Sequence, residues 1–132
     1  MFWKLYLIAL PIFLLVDVIW LGLVAKNFYH QKIGSLMKNN ANAFAALVFY
    51  AVFTFGILMF VVMPGLEKSI GYQVILNGAL FGLVAYSAYD FSNLATLKDW
   101  PFVVTLVDLL WGTLLTSLVS VLTYLIAIKF LQ

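Results

Sequence analysis

Residues 15–20 read Leu-Val-Asp-Val-Ile-Trp, and residues 106–111 read Leu-Val-Asp-Leu-Leu-Trp. Each phrase sets a carboxyl inside an apolar run, about Phe2 to Ala25 for the first and about Pro101 to Phe130 for the second. A bilayer core about 30 Å thick takes roughly 20 apolar residues per helical crossing. Both runs therefore predict membrane spans, and two more follow at about Asn42 to Met63 and Tyr72 to Leu97. Composition agrees, because 66% of the 132 residues are hydrophobic, only 9% are charged, and the mean hydropathy is +1.12. Such values lie far outside those of water-soluble domains. The expected architecture is an all-α, integral membrane, antiparallel four-helix bundle, a single transmembrane domain over residues 1–132.

The charges support those boundaries. Lys4, Lys26, Lys32, Lys38, Lys68, Lys98 and Lys129 all fall at or near the ends of the runs, where a lysine can reach interfacial water. Lys26 to Ala41 is the one sizeable connection, and it holds the sole histidine, His30. Met63-Pro64-Gly65 reads as the stop of the second span, and Lys98-Asp99-Trp100-Pro101 as a tight hairpin before the fourth. The first run resembles a secretory signal only superficially: it is too long, Asp17 interrupts it, and it lacks a small-x-small cleavage site, so it predicts a retained span. Lysine counts on the two sides are too even to orient the chain. With no cysteine, neither a disulfide nor a thiolate metal site can form. His30 has no adjacent acid and reads as a solvated loop residue, so no metal site is expected, and nucleic acid is not an expected partner.

Depth then groups the acids. Asp17 lies eight residues before Ala25, Asp90 seven before Leu97, and Asp108 seven after Pro101. At about 1.5 Å per residue this places all three roughly 11–12 Å inside the same face of the membrane. Tyr50 lies at that level on the second span. In an antiparallel bundle the two acid-plus-tryptophan phrases share the depth of their acids, while Trp20 falls nearer the loop face and Trp111 deeper. Helical spacing adds agreement of face. Gly78, Gly82, Tyr86, Asp90, Asn93 and Leu97 form one stripe of the third span, and Thr105, Asp108, Gly112, Thr116, Ser120 and Thr123 one of the fourth. Phe13, Asp17 and Trp20 supply the inner face of the first span, and Ala46, Tyr50 and Thr54 that of the second.

A central aspartate costs about 2.5–3.5 kcal/mol on insertion scales, so three cost on the order of 8–10 kcal/mol unless they share water, partners or protons. Lys26 and Lys98 lie too far along their helices to reach the layer, so no buried cation is encoded. The carboxyls are expected to converge within hydrogen-bond or one-water distance, to hold protons between them or bind a cation from outside, and to carry at most one net negative charge.

Around those residues the wording becomes specific. Leu-Val-Asp17-Val-Ile-Trp20-Leu-Gly, Phe49-Tyr50, Gly78-Ala-Leu-Phe-Gly82, Tyr89-Asp90-Phe-Ser-Asn93-Leu-Ala-Thr96-Leu, Trp100-Pro101 and Asp108-Leu-Leu-Trp111-Gly112 resemble the bacterial membrane family catalogued as the domain of unknown function DUF2177. The likeness extends over essentially the whole chain. Phe91 and Ser92 stand where the family usually has Leu and Thr, which leaves the polar pattern intact. The resemblance implies a multi-pass protein of the bacterial inner membrane, and it brings no activity, substrate or cofactor.

Three functional classes follow from the acid layer. The first binds a small molecule, cation or proton, with Asp17, Trp20, Tyr50, Tyr86, Asp90, Asn93, Asp108 and Trp111 as candidate ligand-binding residues. The second is a membrane-embedded enzyme using two of Asp17, Asp90 and Asp108 as acid and base on a lipid substrate. The third is an accessory or assembly subunit whose aspartates are structural, each fastening two helices by ~0.6 kcal/mol. Membrane lipids are expected partners throughout, and a solute pathway would require a homodimer. The tyrosines read more readily as packing groups than as catalysts, and Trp3 and Trp100 as interfacial anchors.

Overall fold

In the computed structural model, which describes residues 1–132, four helices are long and apolar enough to cross a membrane. They are α1 (Phe2–Val24), α3 (Ala43–Lys68), α4 (Gly71–Thr96) and α5 (Phe102–Phe130), with a short α2 (Lys26–Ile33) between the first two. The chain is all-helical. Asn42 starts α3 by accepting the Ala45 N–H at 3.0 Å, a side-chain cap for one of the four free donors at a helix start.

Met63-Pro64-Gly65 is not a stop. The helix runs through it to Lys68, and the reason is a wider π turn at Leu58–Val62 that absorbs the missing proline N–H and its steric clash before Pro64 is reached. The actual stop is Ser69, left-handed at φ 55°. The Ser69 N–H bonds to the Leu66 carbonyl at 3.3 Å and the Ile70 N–H to the Gly65 carbonyl at 3.2 Å, closing the last turn.

A second π turn, Trp20–Val24, ends α1, and the Ala25 N–H bonds to the Trp20 carbonyl at 2.8 Å. The chain bends there into α2. What the sequence presents as an open loop is therefore largely helical, and Tyr29 is buried against Ala25, Trp100 and Val104.

The helices meet unequally. α4 and α5 pack along their whole length, with Gly78 facing Ser117 and Ser120, Gly82 facing Gly112 and Thr116, and the Thr105 hydroxyl donating to the Asp90 carbonyl oxygen at 3.3 Å. Later positions on one helix meet earlier positions on the other, so this pair is a hairpin of opposite directions. The small residues of both stripes let the backbones approach, as close packing in lipid requires. α1 lies against α3, tied by the Tyr6 hydroxyl donating to the Ala51 carbonyl at 2.8 Å, and also against α5. The backbones of α3 and α4 come together along the second half of α3, from Leu58 to Lys68, whereas Ala43–Ile57 parts from α4 and reaches it mainly through side-chain rings. The apolar core, with Leu5, Ile57, Leu58, Val74, Leu115 and Val119 fully buried, fills the end where these elements converge.

Candidate functional site

Where α3 and α4 part, the bundle is hollow. A cavity of about 610 Å³ has Ala46, Phe49 and Tyr50 of α3 on one side and Ala85, Tyr86 and Tyr89 of α4 on the other. Its inner wall carries Asp17 of α1 with Asp108 and Trp111 of α5, and α2 covers it with Lys26, Tyr29, His30 and Ile33. Stacked Phe53 and Phe81, 5.3 Å apart, bridge α3 and α4 next to it.

The two acid-plus-tryptophan phrases interlock here. Trp111 donates its indole N–H to Asp17 Oδ1 at 3.0 Å, and Tyr50 donates to Asp17 Oδ2 at 2.5 Å. Trp20 donates to the Tyr29 hydroxyl at 3.2 Å, and Tyr29 in turn donates to Asp108 Oδ1. The indoles of Trp20 and Trp111 lie face to face, 4.4 Å apart and 8° from parallel. Each phrase thus satisfies the acid of the other, the second through a tyrosine.

That stack corrects the expected separation in depth of the two tryptophans. Side chains on a helix lean toward its N-terminus. Trp20 leans inward from the loop face and Trp111 leans outward toward it, so rings on helices of opposite direction meet in the middle.

The three acids divide into a pair and a single. Asp90 is fully buried, neither of its oxygens has a hydrogen-bond donor, and its carboxyl neighbours that of Asp108. Neighbouring carboxyls with no cation beside them are eased by a proton or an outside cation. Asp90 thus stands with Asp108, whereas Asp17 is held by Tyr50 and Trp111. Asp17 and Asp108 are 5% and 8% exposed, so their polar atoms serve the cavity and little else.

Other candidate residues fall into place around this frame. Tyr86 lines the cavity, while Trp20 stands behind it as backing for Trp111. Asp90 lies behind Asp108, and Asn93 is half-buried outside the lining. His30 is exposed, though on the helix α2 and not in a loop, and occupies the rim.

Trp100 is not an interfacial anchor. It is buried, packs edge-on to Tyr89 and donates to Thr105 Oγ1 at 3.1 Å, because the tight hairpin folds its indole back over α5. Trp3, 68% exposed, does face outward.

Tyr29 escapes sequence reasoning altogether. Its signal is faint: Phe28-Tyr29 is an aromatic pair in an otherwise polar connection, one helical turn beyond Ala25. Burial, first, and the bond to Asp108, second, push its hydroxyl above the ordinary tyrosine range, so it stays a donor.

Four apolar spans around a buried polar cavity define a multi-pass membrane protein. The chain belongs to the family described as Predicted membrane protein (DUF2177), whose model matches residues 2–125. No curated protein and no solved structure matches it.

Proposed function

We propose that this protein binds a small molecule inside the bilayer, in the acidic cavity entered between α3 and α4. One observation carries the reading: Asp17 and Asp108, each more than nine-tenths buried, line a hollow of about 610 Å³ in a region where buried carboxyls are costly. A purely structural pair of acids would be enclosed by packing, as Asp90 is. Aromatic walls with a few placed polar groups are the usual make-up of a ligand pocket.

The test is native mass spectrometry of the full chain released from a mild lipid environment. A recurrent bound species is expected, and it should be lost in the Asp17→Asn/Asp108→Asn double variant. Retention of the same species by that variant, or none in either protein, rejects the reading.

The Asp90–Asp108 pair supports a second reading, acid–base chemistry on a bound lipid. One carboxyl can then donate a proton while its neighbour accepts one. Conversion of the bound species during incubation of wild type, absent in Asp108→Asn, distinguishes turnover from binding alone.

A further inference from the structure

We propose that the occupant is a zwitterionic phospholipid whose headgroup ends in an ammonium. Its ammonium sits between Asp17 and Asp108, its phosphate at Lys26 and His30, and one acyl chain along the outside of α3. This rests on the binding reading above and names the class of ligand.

The sign of the charges comes first. Both acids in the lining take their hydrogen bonds from neutral hydroxyl and indole groups, so no basic side chain of the chain pairs with either. The rim bears the opposite sign through Lys26, with His30 beside it as a hydrogen-bonding group. A simple cation would meet the acids and leave the rim opposed, and a simple anion would do the reverse. A headgroup with phosphate outside and ammonium inside matches both.

The walls come second. Tyr50, Tyr86, Tyr89 and Trp111 border the same space, and aromatic faces attract a desolvated ammonium.

The third observation lies outside the cavity. A shallower apolar concavity of about 580 Å³ shares Phe49 with it and follows α3 from Ala45 through Val48, Val52 and Phe55 to Phe60. At 1.5 Å per residue that is roughly 22 Å, about the length of an extended acyl chain. It begins at the depth of the rim and runs toward the midplane, the course an acyl chain takes from its phosphate. The parting of α3 from α4 gives the lateral entry that a lipid needs.

The experiment places the full-length protein in bilayers of equal phosphatidylethanolamine and phosphatidylglycerol with identical chains and counts retained lipids by native mass spectrometry. Wild type should keep the ethanolamine lipid about ten-fold over the glycerol lipid, the order expected of a desolvated ammonium on aromatic faces. Asp17→Asn/Asp108→Asn should lose the retained ethanolamine lipid and with it any preference over the glycerol lipid. Should that double variant not fold, Lys26→Gln/His30→Gln, at exposed positions, should lower retention of both lipids equally. Val48→Trp, which fills the groove, should do the same.

Equal retention of the two lipids by wild type overturns the proposal, as does full displacement of lipid by free phosphoethanolamine, which has no chain. A different species held in the cavity overturns it while leaving the binding reading intact. An empty cavity overturns both.

Discussion

α4 has two neighbours, and it treats them differently. Toward α5 it presents Gly78 and Gly82, and no gap remains. A Cβ on Gly82 would strike the Gly112 carbonyl oxygen and come within 2.6 Å of Thr116 Oγ1. Toward α3 it presents Phe81, Ala85 and Tyr89, with Tyr86 at the border against Gly112, and the helices are held apart by rings or not held at all. Association in lipid depends on van der Waals contact and interhelical hydrogen bonds, so a helix boundary without either stays open. The closed boundary makes α4 and α5 a rigid frame, and the open one makes room for a ligand.

The largest test of that contrast adds volume to the closed side. Gly82→Ala must spread two backbones and should cost about 2–3 kcal/mol, read as loss of the folded form in detergent melting or denaturant titration. The matched change on the open side is Gly56→Ala. Its Cβ would meet only the tip of the Phe81 ring, 2.8 Å away, and that ring can swing outward. A cost below about 1 kcal/mol is expected. Equal losses in the two variants would erase the distinction between the boundaries.

Next in size is Tyr29→Phe. It leaves Asp108 Oδ1 and the Trp20 indole N–H without a partner and should destabilise by roughly 1–2 kcal/mol. The loss should concentrate in α2, seen as faster amide exchange there than in α4 or α5. The pH dependence has a definite sign. Burial raises the Tyr29 hydroxyl above its ordinary value, so its contribution is complete below about pH 10 and declines as alkali rises through the folded value. The difference in melting temperature between wild type and Tyr29→Phe should accordingly stay level from neutral to mildly alkaline pH. A gap that closes within that range would mean the hydroxyl ionises normally and α2 is not docked as described.

The smallest effect is expected at Asp99, which sits exposed in the hairpin at φ 60°. Asn tolerates that conformation well, so Asp99→Asn should change stability by less than about 0.5 kcal/mol. Asp90→Asn, by contrast, alters the carboxyl pair and should shift ligand retention far more than Asp99→Asn does. Indistinguishable retention would detach the pair from the cavity.

Much of the frame was legible in the residues. Hydropathy placed the four spans, and helical spacing placed Gly78, Gly82 and Asp90 with Asp108, Gly112, Thr116 and Ser120 on faces that are indeed buried. Proline rules misread Pro64, because a π turn upstream relieves the clash that would end a regular helix. Depth arithmetic misread Trp20 and Trp111, because it followed backbone positions and ignored the lean of the side chains. Tyr29 was out of reach, since its role depends on how a connecting segment folds over a helix end seventy-nine residues away.

By itself the sequence determined that this chain crosses a membrane four times and carries three carboxyls at one depth on inward faces of its helices. Those properties follow from local composition and periodicity, which each helix carries alone. Only the tertiary structure decided that Asp90 neighbours Asp108 while Asp17 stands with Trp111 and Tyr50, and that a cavity opens between α3 and α4. Contacts between helices are fixed by which small residues let backbones approach and which rings keep them apart, and neither is visible until the helices are set side by side.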